Sequence, residues 1–251
     1  MEKALGIIIP VYNEGENICK TIESIEEKIT TSHLIYIVYD FDADNTLPAV
    51  KEFIKNGVDI QFVKNPIGGA VNAIKVGLQA AKEDHLLVTM ADLSDDYTAV
   101  DRMCQLMCEG YDVICGSRYM KGGRHIAGPL LKKTLSRMAG LSLRYVAGLP
   151  THDATNSFKL YRKGIIDSIE IESDSGFEIS LEIAIKAHFS GFRVTEVPCI
   201  WRHRSKGKSR FKIIKWAPNY LRWYFYALKK ALYRANRNAP VDQHQNKRVS
   251  G

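Results

Sequence analysis

Two hydrophobic periods alternate along the first half of this chain, and that alternation restricts its fold more than any other feature. Short β-branched runs at Leu5–Val11, 34–39, 60–63, 86–90 and 113–115 are strand-like. The segments between them, at 16–28, 47–56, 69–82 and 97–109, carry helical spacing. Such a βαβα rhythm predicts an α/β fold, a mainly parallel sheet covered by helices on both faces. Ligands of such folds bind beyond the carboxyl ends of the strands, so the loops there should carry the chemistry. Further along, the pattern predicts a helix over 129–147, a polar turn at 151–157, a strand at 158–161, a helix over 176–189 and a strand over 192–201. There is no internal repeat.

Several classes of protein are excluded. No run approaches the roughly 20 apolar residues that a membrane-spanning helix needs. The N-terminus enters its first apolar segment without the small-residue cleavage site of a signal peptide, which reads as a first strand in a cytoplasmic protein. The five cysteines, Cys19, Cys104, Cys108, Cys115 and Cys199, contain no CxxC pair, so neither zinc nor a disulfide framework is expected. Neither GxGxxG in the first βα turn nor GxxxxGK[ST] occurs, which argues against dinucleotide dehydrogenases and P-loop nucleotidases.

The net charge of +7 is unevenly placed. Twelve basic residues and no acidic ones lie between positions 201 and 237, leaving 23 basic against 28 acidic elsewhere. An acidic body with a basic C-terminal end attracts phosphates of some kind, in a small substrate, an anionic membrane or nucleic acid. Nucleic acid is the weakest of these, because no binding motif accompanies the charge. Ile214, Ala217, Leu221, Phe225, Leu228 and Leu232 recur at helical spacing, and Pro218 can open a second helix there. With Trp216, Tyr220, Trp223 and Tyr224 among the basic residues, two readings stand: a helix lying on a membrane surface, or one packed on the body with a solvated basic face.

Three acidic clusters end three successive strands and would gather Glu14, Asp40, Asp42, Asp44, Asp92, Asp95 and Asp96 on one rim. Singly, each reads as well as a helix cap or a solvated turn. Together, uncompensated carboxylates repel, and they point to a bound cation or a hydrogen-bonding ligand. Arg118, in Gly116-Ser117-Arg118-Tyr119, and the run Arg204-Ser205-Lys206-Gly207-Lys208-Ser209-Arg210 are of the opposite sign. They supply planar forks and small donors suited to phosphate oxygens.

In order along residues 5–210, Ile7-Ile8-Ile9-Pro10-Val11-Tyr12-Asn13-Glu14, the 40–46 segment, Ala91-Asp92-Leu93-Ser94, Gly116-Ser117-Arg118-Tyr119 and Arg204-Ser205-Lys206-Gly207-Lys208-Ser209-Arg210 resemble the motif series of family 2 glycosyltransferases. The branch most similar is that of the dolichyl-phosphate mannose synthases and related polyprenyl-phosphate glycosyltransferases. The resemblance implies a Rossmann-like GT-A domain over 1–210, a nucleotide-sugar donor, Mg2+ or Mn2+, and inversion at the anomeric carbon. A basic amphipathic extension over 211–237 and a disordered tail over 238–251 would follow. By the same resemblance Pro10, Tyr12, Glu14, Asp40 and Asp42 would hold the donor nucleoside, and Asp92 and Ser94 the metal. Arg118, Arg204, Ser209 and Arg210 would face phosphates, Asp153 would lie near the donor sugar, and Asp92, Arg118 and Arg204 would carry the chemistry.

Two positions depart from the pattern. Met90 stands where the first acid of the family's DxD motif is expected, and Tyr39 where the first acid of the second-strand pair is expected. A lipid-phosphate acceptor is already anionic and requires no general base. A hydroxyl acceptor requires one, with Asp95, Asp96, Glu178 or Glu182 as candidates. The leading expectation is therefore an enzyme peripheral to the cytoplasmic face of a membrane that moves a sugar from GDP-mannose or a UDP-sugar to a polyprenyl phosphate. A hydroxyl-acceptor glycosyltransferase and a noncatalytic nucleotide- or membrane-binding relative are the alternatives.

Overall fold

The computed structural model describes residues 4–203 and 213–238. In chain order the elements are β1 (Leu5–Val11), α1 (Asn17–Lys28), β2 (His33–Tyr39), α2 (Thr46–Lys55), β3 (Ile60–Lys64) and α3 (Ala70–Ala80). Then come β4 (His85–Val88), α4 (Val100–Cys108), β5 (Val113–Ser117), β6 (Arg124–Ile126), α5 (Leu130–Ala147) and β7 (Lys159–Arg162). The chain continues through α6 (Lys163–Ser168), α7 (Ile179–Phe189), β8 (Val194–Pro198), β9 (Ile200–Arg202) and α8 (Ile213–Asn238). A single 3-10 turn, Tyr97–Ala99, precedes α4, so the helix expected over 97–109 is two pieces.

Seven strands form one sheet in the order β3-β2-β1-β4-β7-β5-β8. All neighbours are parallel except β7, which runs antiparallel to both β4 and β5. β1 reads as continuous Ile because both of its faces are covered. Ile7 and Ile9 pack with Ile18, Ile22 and Ile25 of α1 and Met103 of α4, whereas Ile8 packs with Val71, Ile74 and Leu78 of α3. Gly77 lets α3 approach this closely, since a Cβ there would lie 2.5 Å from Ile8 Cγ2. The chain leaves β1 toward β2 on one side and returns to β4 on the other. Pairing between β1 and β4 stops at Ile8 and Val88, so a crevice opens at this switch of direction, beside Pro10.

Four local differences from the sequence pattern have physical causes. β4 ends at Val88 because the Thr89 hydroxyl and the Met90 N–H turn to Asp95. The strand expected over 192–201 divides at Cys199, whose N–H bonds back to Ser117 while its carbonyl accepts from Arg124. That exchange of partners starts the separate β6–β9 ribbon, whose strand β6 has no period of its own in the sequence. Pro218 opens no second helix; it lies inside α8, near the start, where its missing N–H forfeits one helical bond.

A third apolar cluster binds α5, α7 and α8. Trp223 and Ala227 of α8 are buried against Leu143 and Ala147 of α5 and Leu181 and Ile185 of α7. The Trp223 indole N–H donates to Ser173 Oγ at 3.1 Å. Beneath it Lys186 bridges Glu182 at 2.8 Å and Glu172 at 2.6 Å. Among the described residues no helix is long and apolar enough to cross a membrane. The expected boundary at 210 and the tail beyond 238 lie outside the described residues.

Candidate active site

The loops after β1 and β2 are tied together by side chains that the chain places just before its helices. Asp44 is buried; its Oδ2 accepts from the Asn13 N–H at 2.9 Å and its Oδ1 from the Thr46 N–H at 2.8 Å. The Glu14 N–H donates to Thr46 Oγ1 at 3.0 Å. Asn13 takes a left-handed conformation (φ 53°), which Asn tolerates better than most residues, so the turn presents Tyr12 and Glu14 at the end of β1. Tyr12 is exposed and meets the edge of Phe41 at 5.3 Å between ring centroids.

Asp40 organises the neighbouring loop. Its Oδ1 accepts from Asn65 Nδ2 at 2.7 Å and its Oδ2 from the Gly69 N–H at 2.9 Å. Gly68 and Gly69 both have positive φ, which lets this turn fold back on the carboxylate. Asp42 is exposed and pairs with Lys64 at 2.6 Å. Pro10, Tyr12, Glu14, Asp40 and Asp42 thus line the carboxyl ends of two adjacent strands.

The β4 loop holds the second acidic group. Asp92 Oδ1 accepts from the Ser94 N–H at 3.1 Å across Leu93, which is left-handed (φ 57°). The Ser94 hydroxyl is buried without a hydrogen-bond partner. Asp95 sits behind them, its Oδ2 taking the Thr89 hydroxyl at 2.8 Å. Burial first, and then the charge of Asp92, push the Asp95 carboxyl up to about 7. Met90 offers no ligand, and among the described residues no group of three or more His, Cys, Asp or Glu could hold a metal. Asp92 with the unpartnered Ser94 hydroxyl fits a hard divalent cation of the Mg2+ type, which takes one or two protein oxygens and completes its shell from phosphate and water.

Arg118, at the end of β5, is nearly buried. Its Nε and one Nη grip both oxygens of the fully buried Asp153, at 2.6 and 2.8 Å, and the same Nη reaches Ser136 Oγ at 3.0 Å. Burial opposes both charges, but each partner more than offsets it: Arg118 is held further into its charged form, and Asp153 below the usual carboxylate range. Tyr119 and Trp201 flank the guanidinium at 5.1 and 5.9 Å. His125, between those two rings, is pushed down to about 4 by burial and by Arg118. Lys159 is buried under the turn that carries Asp153, donating to the carbonyls of Ala154 and Asn156.

Strand β9 joins the acidic loop to the arginine: the Arg202 N–H donates to the Ser94 carbonyl at 2.9 Å, and the neighbouring Trp201 ring lies 5.9 Å from the Arg118 guanidinium. Arg204, Ser209 and Arg210 lie outside the described residues. Sequence reasoning missed the aromatic setting of Arg118 and its contacts with Ser136 and Thr155, which come from distant elements and leave no local signal. It also missed the Asn65–Gly69 loop as a partner of Asp40, although the Gly-Gly pair marked a tight turn.

In an open α/β sheet of this kind ligands bind beyond the carboxyl ends of the strands, where the acidic loop after β4 and the braced arginine after β5 both lie. The family model described as "Glycosyl transferase family 2" matches residues 6–170, and the chain belongs to that family. The dolichol-phosphate mannosyltransferase of Pyrococcus furiosus is 29% identical over 213 residues, 83% of this chain and 59% of that protein. The chain therefore spans well under two thirds of that relative's length. The polyprenol monophosphomannose synthase of Mycolicibacterium smegmatis is 27% identical over 233 residues, 84% of this chain and 85% of that one. Among solved structures, glucosyl-3-phosphoglycerate synthase of Mycobacterium tuberculosis with uridine diphosphate superposes with a TM-score of 0.65 at 13% identity, covering 90% of this chain and 80% of that one. Other complexes of that enzyme contain Mn2+ or Mg2+.

Proposed function

We propose that the chain is an inverting glycosyltransferase that moves a sugar from a nucleotide-sugar donor, GDP-mannose or a UDP-sugar, to a polyprenyl phosphate. The observation that carries this reading is the Arg118–Asp153 fork, joined through Trp201 and Arg202 to the Asp92–Ser94 loop. Family membership and two relatives named for polyprenyl-phosphate mannose chemistry support it. In this reading Pro10, Tyr12, Glu14, Asp40 and Asp42 bind the nucleoside, and Asp92 and Ser94 would hold Mg2+ or Mn2+. Such an ion, when bound, would supply charge neutralisation on the diphosphate. Arg118 and Arg204 stabilise the negative charge that builds as the diphosphate leaves, with Ser209 and Arg210 adding donors. Asp153 acts through Arg118: it fixes the guanidinium's plane before substrate arrives, so little reorganisation remains at the moment of reaction. A phosphate oxygen of the acceptor attacks the anomeric carbon opposite the leaving group and needs no base. The basic C-terminal helix would bring the enzyme to the surface that contains this acceptor.

Transfer of label from GDP-mannose, UDP-glucose and UDP-GlcNAc into butanol-extractable polyprenyl phosphate tests the proposal, with Mg2+ or Mn2+ against EDTA. Metal-dependent label, lost in Asp92→Ala and Arg204→Ala, is the expected result. Nucleotide binding with no label from any donor would overturn it.

One observation favours a second reading, a hydroxyl acceptor. Glu178 is buried, its Oε2 has no hydrogen-bond partner, and burial raises its pKa, which are the attributes of a general base. Loss of transfer to sugar hydroxyls in Glu178→Gln, with donor hydrolysis retained, would select it.

A further inference from the structure

Glu196 is a largely buried carboxylate that no step of the proposed reaction uses. It lies on β8, opposite Cys115 of β5, with its side chain 8% exposed. A carboxylate withdrawn this far from water must have its oxygens hydrogen-bonded. Both are, by two consecutive residues more than forty positions away. Oε2 accepts from the His152 N–H at 2.7 Å and from the Thr151 hydroxyl at 3.2 Å, and Oε1 meets His152 Nδ1 at 2.5 Å. Among the described residues Arg144 is the one Lys or Arg within ion-pair reach, at 3.9 Å. The carboxylate is thus fastened to a turn more than to a cation.

That turn passes the constraint on. The Thr151 hydroxyl gives its proton to Glu196 and so turns a lone pair to the Asp153 N–H, which donates to it at 3.0 Å. Asp153 in turn takes the Arg118 backbone N–H at 3.0 Å as well as the guanidinium. Arg118 stands three residues beyond Cys115, the residue paired with Glu196. The contacts therefore close a ring, from β5 through Arg118, Asp153 and Thr151 to Glu196 and back across the β8–β5 ladder. An open chain of hydrogen bonds leaves its far end free to swing, whereas a closed ring fixes each member relative to the sheet. Helix α5 confines the turn as well, since a Cβ at Gly140 would lie 2.1 Å from the His152 carbonyl oxygen.

We infer that Glu196 is a positioning residue for sugar transfer: it holds the Thr151–Asp153 turn where Asp153 sets the plane of the Arg118 guanidinium. It touches no substrate. The inference rests on the proposed role of Arg118 at the leaving diphosphate, because alignment of a guanidinium governs rate only where charge develops. A group that acts on such alignment alone lowers kcat and leaves the KM for the donor unchanged.

Three variants test it. Glu196→Leu keeps much of the side-chain volume and removes every acceptor. Thr151→Val removes only the hydroxyl between Glu196 and Asp153, and Glu196→Gln keeps one oxygen for the turn and serves as the conservative rescue. The first readout is the Arg118 Nε–Hε resonance of the unliganded protein, assigned by its loss in Arg118→Lys. In Glu196→Leu and Thr151→Val this proton should exchange with water about tenfold faster than in the wild type or more, with far-UV circular dichroism unchanged, and Glu196→Gln should restore it. The second is steady-state transfer with the donor that labels polyprenyl phosphate. Here kcat should fall about 10–100-fold in the first two variants, with the donor KM within about threefold of wild type.

An Arg118 resonance that no variant moves, or a loss carried by KM in place of kcat, would overturn the inference. If Glu196→Leu does not fold, Thr151→Val decides by the same criteria, because it leaves the carboxylate and both His152 bonds in place. The two readings fail separately. A displaced Arg118 resonance in a protein that transfers sugar from no donor upholds the hold on Arg118 and counts against the proposed reaction alone. Transfer by every variant at the wild-type rate counts against Glu196 alone.

Discussion

Asp95 is a carboxyl kept where its ionised form is disfavoured. Its pKa rises from 3.8 to about 7, by burial and then by Asp92, so between those values the folded chain holds a proton that the unfolded chain has released. Stability therefore falls with pH across that interval and levels off above it. From pH 5 to pH 8 the loss attributable to this group is on the order of 2 kcal/mol. Urea unfolding at both pH values should show that decline in the wild type and a smaller one in Asp95→Asn; equal slopes would contradict the assignment. At this scale the sequence was informative about residue type and position more than about partnership. The rim of acids after β1, β2 and β4 was legible because strand ends and acidic runs are both local signals. That Asp44 latches two loops, or that Asp153 holds Arg118, was not, since each bond joins residues more than thirty positions apart.

Elements were legible where their hydrophobic period was strong and both flanks were polar. β1, α1, α3 and α5 are found within a residue or two of expectation, whereas β6, α6 and the break in the 192–201 strand depend on tertiary hydrogen bonds. Helix α5 meets the body through Gly140, where a Cβ would lie 2.1 Å from the His152 carbonyl oxygen. Backbone cannot yield there as a flexible side chain can. Gly140→Ala should therefore lift α5 from the 151–157 turn and destabilise the protein by about 1–3 kcal/mol, despite the better helix propensity of Ala. A stabilised variant in thermal unfolding would show that the turn yields more readily than its position suggests.

For the whole molecule, the C-terminal helix is both surface and core. Its basic, aromatic composition raised two readings, a membrane-surface helix and one packed on the body; Trp223 is 2% exposed within the α5–α7–α8 cluster, so packing is observed, while Leu221, Phe225 and Leu232 stay exposed on the outer face. Trp223→Ala should cost about 3–5 kcal/mol, read as a lower urea midpoint, because it opens a cavity and strands the Ser173 hydroxyl. A loss below 1 kcal/mol would mean that α8 contributes little to the fold.

The antiparallel strand has a temporal consequence. β4 and β5 follow one another in the chain but never touch as neighbours in the sheet, because β7 lies between them. During synthesis the first four strands can assemble as soon as they emerge, yet their exposed edge at β4 stays open until residues 159–162 arrive. The strand that closes the seam between β4 and β5 is the one that follows Asp153 within six residues and begins with Lys159. A nascent chain therefore closes its central seam and acquires the partner of its arginine within a few residues of each other, before β8 adds the outer edge, and a molecule that has not closed this seam has no assembled centre.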